Sequence, residues 1–159
     1  MLFRSRMGKL SASVAGYAAG GQDSGGNISG IDKVAFPADT KTTLSATLTS
    51  ARNGPAGFSN SGVAGYSAGG APATSGIDKV AFPADTNTTL SATLSTAREN
   101  VAGFANSGVA GYVAGGIDSG GRISGIDKVA FAADTKTTLS ATLTSARESL
   151  TGFADSGTL

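Results

Sequence analysis

The sequence predicts an all-β fold made of three similar units, and two observations lead to that prediction. Short apolar segments recur along the 159 residues at nearly constant intervals: Tyr17, Tyr66 and Tyr112 lie 49 and 46 residues apart. Each unit also carries a threonine-rich segment, which favours extended structure, and Gly, Asn and Ser clusters that indicate turns. A repeat of this length is typical of architectures that stack one supersecondary unit on the next.

One loop accounts for the length difference between the units. Ten positions separate Gly21 from Ile31 in the first unit and Gly116 from Ile126 in the third. Only seven separate the matching residues of the second unit, which are Gly70 and Ile77. A loop that tolerates insertions lies at the surface, so we expect this one to be exposed.

Each unit reads as four short strands. In the third unit these are "VAGYVAGG", "ISGIDKVAF", "DTKTTLSATLTSAR" and, preceding them, "VAGFANSGVAG", which closes on an Asn-Ser-Gly turn signal. A helix is the alternative for the threonine-rich segment, because Leu44 and Leu48 are four residues apart. A disordered Gly/Ser/Ala linker is less consistent with the sequence, since aromatic residues recur in register in every unit.

Composition excludes several classes of function. Lys and Arg number 12 and Asp and Glu 11, for a net charge of +1, so the chain has no electrostatic footprint for nucleic acid. It contains neither Cys nor His, which removes thiol chemistry, the commonest general base and the commonest metal ligands. No apolar run approaches the roughly 20 residues that a membrane-spanning helix needs. We therefore predict no enzyme activity, catalytic residue, metal site or cofactor.

Four strands in a unit of this length are typical of a β-propeller blade. Three features recur in every unit: a tyrosine at Tyr17, Tyr66 and Tyr112; a glycine pair at Gly20 and Gly21, Gly69 and Gly70, and Gly115 and Gly116; and an arginine at Arg52, Arg98 and Arg147. This pattern resembles the kelch repeat. Phe36, Phe82 and Phe131 stand where that repeat has Tyr, and Leu44, Leu90 and Leu139 where it has Trp, so the resemblance is to a degenerate kelch repeat.

The sequence segment "IDKVAFPADTKTTLSATLTSAR" also resembles repeat proteins of tailed phages, especially cyanophages, and of cyanobacteria. These resemblances cover residues 13–158. They imply a propeller whose rigid disc presents loops, in a phage virion or tail component. Host attachment through a cell-surface glycan is the alternative function, and a glycosidase is a more remote one.

The organisation predicted is a leader at residues 1–12 and three repeats at about 13–58, 59–104 and 105–153, with a C-terminal strand at 150–157. The repeat begins on the second strand of a blade and ends on the first strand of the next. Closed propellers typically have four to eight blades. We therefore expect a homodimer, closed as a six-bladed ring by exchanged end strands.

Roles follow for the recurring residues. The glycine pairs are expected to adopt positive φ and admit a neighbouring backbone. The three arginines are expected to pair with Asp32, Asp78 and Asp127 or with Asp39, Asp85 and Asp134, while "DTKTT" suggests an Asx turn rather than a calcium loop. "GQDSGGNISG" lacks the context of a phosphate loop.

The residues that differ between units are the candidates for contact with a partner, either another virion protein or a glycan. They lie in the loop of variable length. The candidates are Gln22, Asp23, Ser24, Asn27, Ala71, Pro72, Thr74, Asp118, Ser119 and Arg122.

Overall fold

The computed structural model describes residues 14–155, and in this range the protein is all-β with no helix. The predicted leader at 1–12 and the end of the predicted C-terminal strand, residues 156–157, lie outside the described residues. The all-β prediction is confirmed, as antiparallel sheets of two to four strands. A search of residues 14–155 finds no helix long and apolar enough to cross a membrane.

The first sheet has three strands in the order β1-β4-β5, and a two-stranded hairpin, β2-β3, projects from it. The strands are β1 Ala15–Ala19, β2 Gln22–Asp23, β3 Gly26–Asn27, β4 Ile31–Ala35 and β5 Thr40–Thr43. Within the described residues β1 is an edge strand, paired only with β4.

The second and third sheets each have four strands in simple meander order, β6-β7-β8-β9 and β10-β11-β14-β15, and the third unit also has a hairpin, β12-β13. The second sheet contains β6 Ala56–Asn60, β7 Ala64–Ala68, β8 Ile77–Ala81 and β9 Thr86–Thr89. The third unit contains β10 Ala102–Asn106, β11 Ala110–Ala114, β12 Ile117–Asp118, β13 Gly121–Arg122, β14 Ile126–Ala130 and β15 Thr135–Thr138. Four strands per unit are therefore confirmed in these two sheets.

The strand register is the same in every sheet. Tyr66 lies opposite Lys79 on one side and opposite Phe58 on the other. Tyr112 has the same neighbours in the third sheet, Lys128 and Phe104. The first sheet has the tyrosine–lysine pair of Tyr17 and Lys33, but no described strand lies on the other side of Tyr17.

The threonine-rich segment differs from its prediction. The strand in the third unit ends at Thr138, and residues 139–147 form neither a strand nor a helix. Leu139, Leu143 and Arg147 instead each donate a backbone hydrogen bond, to Ile126, Ser124 and Ile123 respectively. A backbone hydrogen bond from every fourth residue explains the four-residue spacing of the leucines, which in the sequence is also typical of a helix. The first and second units repeat this arrangement.

Neighbouring sheets pack face to face, and the hydrophobic core lies between them. Leu48 and Val80 pack with Ile31 between the first and second sheets. The larger core between the second and third sheets includes Phe58 and Phe131. The core is thus repeated at each junction rather than gathered at one centre.

Candidate functional site: sheet junctions and variable loops

The glycine pairs contact the backbone of the segment that ends at the recurring arginine. Gly20 and Gly21 have φ of 70° and 115°, and the other two pairs have similar values. The amide of Gly21 donates to the carbonyl oxygen of Arg52 at 2.8 Å. A Cβ built on Gly20 would lie 2.7 Å from that oxygen, which explains why the position needs glycine.

The second and third glycine pairs also meet the backbone that leads in from the preceding unit. A Cβ on Gly70 would lie 2.9 Å from the carbonyl oxygen of Asn53, and one on Gly116 would lie 2.7 Å from that of Glu99. Positive φ is therefore found at all three glycine pairs, and close approach of a neighbouring unit's backbone at the second and third.

A buried arginine–aspartate pair crosses each junction. Arg98 is fully buried and donates to Asp127 at 2.9 Å, and both side chains have 0% exposure. Arg98 also donates to the carbonyl oxygen of Val113 at 3.2 Å. Arg52 and Asp78 form the same pair at the first junction, with exposures of 2% and 1%. Of the two partner sets that the sequence allowed, Arg52 and Arg98 therefore use the aspartates of "IDK".

The buried carboxylates are held in the charged form. Burial raises the pKa of Asp127, but bonds from the Ser95 backbone, the Thr138 hydroxyl and the Ser95 hydroxyl outweigh it, together with the charge of Arg98. The net result is a pKa below the usual value, and Asp78 is lowered in the same way. Burial lowers the pKa of Arg98, an effect partly offset by Asp127. Both carboxylates therefore remain ionised at neutral pH, in a contact between two sheets.

A second set of contacts lies further out on the same junction. The ring of Tyr66 stacks on Phe131 with centroids 5.2 Å apart. Its hydroxyl donates to Asp134 at 3.0 Å, and Lys79 donates to the other oxygen of that carboxylate at 2.6 Å. The pKa of Tyr66 is raised because the side chain is buried and because its hydroxyl donates a hydrogen bond to the charged Asp134.

The first junction repeats this set residue for residue. Tyr17 stacks on Phe82 with centroids 4.6 Å apart, and Tyr17 and Lys33 each donate to Asp85 at 2.7 Å. The carboxylates of Asp85 and Asp134 therefore bind across the junction, whereas the sequence suggested local Asx turns. The lysine contacts were missed in the sequence, although a lysine follows the aspartate of "IDK" in all three units.

Tyr112 and Arg147 take part in no junction within residues 14–155. Tyr112 stacks on Phe104 of its own sheet, with centroids 5.2 Å apart, and the Arg147 side chain is exposed. At the opposite end of the described range, the Asp32 side chain is 42% exposed, and its partners among the described residues are Lys41 and Thr43. Counterparts of the junction residues therefore lie at both ends of the described range, with no neighbouring sheet among residues 14–155.

The variable loops lie on the surface, as the length variation predicts. Gln22, Asp23, Ser24, Pro72 and Ser119 are exposed, and Arg122 is exposed with its guanidinium 2.9 Å from Glu148. The other four candidates are half-buried: Asn27, Ala71, Thr74 and Asp118.

Several of the half-buried candidates are engaged in the structure itself. Asn27 donates to the carbonyl oxygen of Ala71 at 2.7 Å and accepts from Asn53. Thr74 and Asp118 each accept a bond from a backbone amide two residues later. The loop surface that is free to touch a partner is thus mainly the exposed tips of the hairpins.

No group of three or more Asp and Glu side chains is arranged to hold a metal ion within residues 14–155. The titratable groups that are buried there serve the two equivalent junctions. The comparison with protein-family models finds no match, and the comparison with curated proteins finds no significant one.

Proposed function

We propose that this protein is a non-enzymatic structural and binding module, in which stacked repeat sheets form a rigid support for variable loops. The observation that carries the proposal is the equivalence of the two junctions. The same residue types make the same contacts at both, so the buried charges are used for structure. The differences between the units are concentrated in surface loops, where a binding function can vary without disturbing the core.

The kelch-like propeller is the finer form of this proposal, and the shape of the junction supports it. Gly57 and Gly103 meet backbone to backbone between β6 and β10, so a Cβ on Gly103 would collide with Gly57. Further from that edge, the stacked rings of Tyr66 and Phe131 hold the sheets apart. A junction that is narrow along one edge and wide along the other turns successive sheets about the narrow edge. Repeated turning of this kind produces the blades of a propeller.

Ring closure at six blades needs two chains of three units each. Three units are fewer than the four to eight blades typical of closed propellers. Two copies related by a two-fold axis, with each chain's last unit joined to the other's first, would satisfy that number. The place of such a disc in a phage virion or tail rests on the sequence resemblance, and immunogold labelling of particles from the source culture tests it.

A loop exchange tests the display function. Residues 22–29 of the first unit are replaced by the shorter sequence of residues 71–75, so that only the variable loop changes. We expect an unchanged circular dichroism spectrum and solution mass, because the second unit folds with that loop. Loss of folding would contradict the separation of support and loop.

The same two proteins, applied to an array of bacterial surface glycans, separate the alternatives. No binding by either supports a structural display role. Glycan binding that is altered by the loop exchange favours host attachment. Hydrolysis of any glycan would overturn the non-enzymatic proposal.

A further inference from the structure

The structure contains a groove where the neighbouring junction has a strand. In the second junction, β6 pairs with β7 and packs against β10 of the next sheet. In the first junction no described strand takes the corresponding place beside β1. A cavity of about 900 Å³ lies there, lined on one side by Gly16 and Tyr17 and on the other by Gly57 and Phe58.

Residues 150–155 have the sequence and the position of a strand that could fill such a groove. "LTGFAD" matches "PAGFSN" and "VAGFAN", which contain β6 and β10. Gly152 packs on the backbone of Gly103 as Gly103 packs on Gly57. Residues 150–155 nevertheless belong to no strand, and Phe153 is 88% exposed.

The two ends also carry opposite halves of the junction contacts. The third sheet presents Tyr112, Lys128 and Arg147, which match Tyr66, Lys79 and Arg98. The first sheet presents the matching partners: the ring of Phe36, which is 48% exposed, and the carboxylates of Asp39, which is exposed, and Asp32. Asp78 and Asp127, the counterparts of Asp32, are buried against an arginine. The free faces are thus complementary in charge as well as in shape.

We infer that a second copy of this chain occupies the groove: residues 150–155 of one copy add a strand to β1 of the other. This inference rests on the proposed structural function and names its partner. Strand addition satisfies the open edge of β1 with backbone hydrogen bonds. The register of β6 on β7, in which Ala56 faces Ala68 and Phe58 faces Tyr66, places Thr151 opposite Ala19 and Phe153 opposite Tyr17.

The joined faces then repeat the interior junction. Arg147 of one copy binds Asp32 of the other. Tyr112 stacks on Phe36, and Lys128 binds Asp39. Each copy offers both halves, so two copies can close on each other with two equal joins.

Engineered cysteines test the strand register, and the absence of natural cysteine makes the test clean. The full chain carries Ala19→Cys with Thr151→Cys, and the control carries Ala15→Cys with Thr151→Cys. Residues directly opposite come within the roughly 4.4–6.8 Å between Cα atoms that a disulfide needs. The control pair is displaced by four residues, or about 13 Å.

We expect disulfide-linked species on a non-reducing gel for the 19/151 variant alone. Equal cross-linking in both variants, or none in either, would overturn the inferred register.

Charge reversal tests the face contacts. Asp32→Arg and Arg147→Asp should each weaken self-association by about tenfold or more, because like charges then meet at the join. The double variant should restore it, since each copy's aspartate at 147 meets the other's arginine at 32. Asp23→Lys, at the exposed tip of the β2-β3 hairpin, is the charge-reversal control and should leave the solution mass unchanged.

Single reversals that leave self-association intact, or a double variant that stays dissociated, would overturn the join. Circular dichroism of each variant separates this failure from a failure of the proposed function. Folded chains that never associate would refute the join alone. The loop exchange still decides the display role in that case, because its folding readout does not require self-association.

Discussion

The substitution Asp127→Asn isolates the contribution of one buried ion pair to stability. The amide keeps the shape of the carboxylate but removes its charge. Arg98 is then left fully buried without the counter-ion that it contacts directly, and its remaining hydrogen bonds are to neutral acceptors such as the Val113 carbonyl oxygen. The bonds from Ser95 and Thr138 to the former carboxylate are also weakened, because they lose a charged acceptor.

The expected loss follows from that geometry. Removing one partner of a buried ion pair costs about 3–5 kcal/mol, since an uncompensated charge stays in a poorly solvated site. A domain of this size is stabilised by about 5–15 kcal/mol in total. The variant should therefore fold but lose a large fraction of its free energy of unfolding.

Glu148→Gln is the matched control. Glu148 also pairs with an arginine, Arg122, and the N–O distance is 2.9 Å in both pairs. The difference is burial, because the Arg122 side chain is 62% exposed and that of Glu148 is 20% exposed. Exposed pairs contribute about 0–1 kcal/mol, so this variant should be nearly neutral.

Urea denaturation of both variants and the parent chain at neutral pH measures the difference. The midpoint gives the change in the free energy of unfolding if the slope is unchanged. A cost under about 1 kcal/mol for Asp127→Asn, or an equal cost for Glu148→Gln, would refute the claim that the buried pair holds the junction.

Three further predictions concern the same junctions. Gly103→Ala should destabilise the protein by about 1–3 kcal/mol in a thermal melt, because its Cβ collides with the Gly57 backbone, whereas Gly30→Ala, with open space around it, should change stability by about 0.5 kcal/mol or less. Tyr66→Phe should cost about 1 kcal/mol by urea denaturation through loss of the bond to Asp134, and no cost would argue against that bond. The pKa values of Asp78 and Asp127 are lowered, so their stabilisation is fully present above the usual aspartate pKa of about 3.9 and is lost as the pH falls through their lower folded-state values. The melting temperature should therefore be flat from about pH 7 to 5 and fall below about pH 4. A decline beginning near pH 6 would contradict this.

The sequence predicts the strands well where its pattern is local. Alternating apolar residues and the Asn-Ser-Gly turn are sufficient for β10 and β11, and the glycine pairs follow from the backbone geometry that only glycine tolerates easily. The threonine-rich segment is the counterexample. Its leucine spacing comes from bonds to a distant segment, and neither strand nor helix periodicity describes that arrangement.

The junction contacts are only partly predictable. Recurrence of Arg and Asp in every unit indicates that they pair, but the choice between "IDK" and "ADT" aspartates depends on which faces meet. The structure assigns Arg98 to Asp127 and gives Asp134 to Lys79 and Tyr66. The two partners of each contact belong to different units, so the choice of partner is determined only when two sheets are stacked.

The solution mass of the chain is the most direct test of the join between two copies. Light scattering on a sizing column, over a range of concentrations, measures it without any substitution. The chain has a mass of 15.5 kDa, and the account predicts a sharp species of twice that mass, formed by two reciprocal joins. A well-folded species that stays at 15.5 kDa at every concentration would contradict the account.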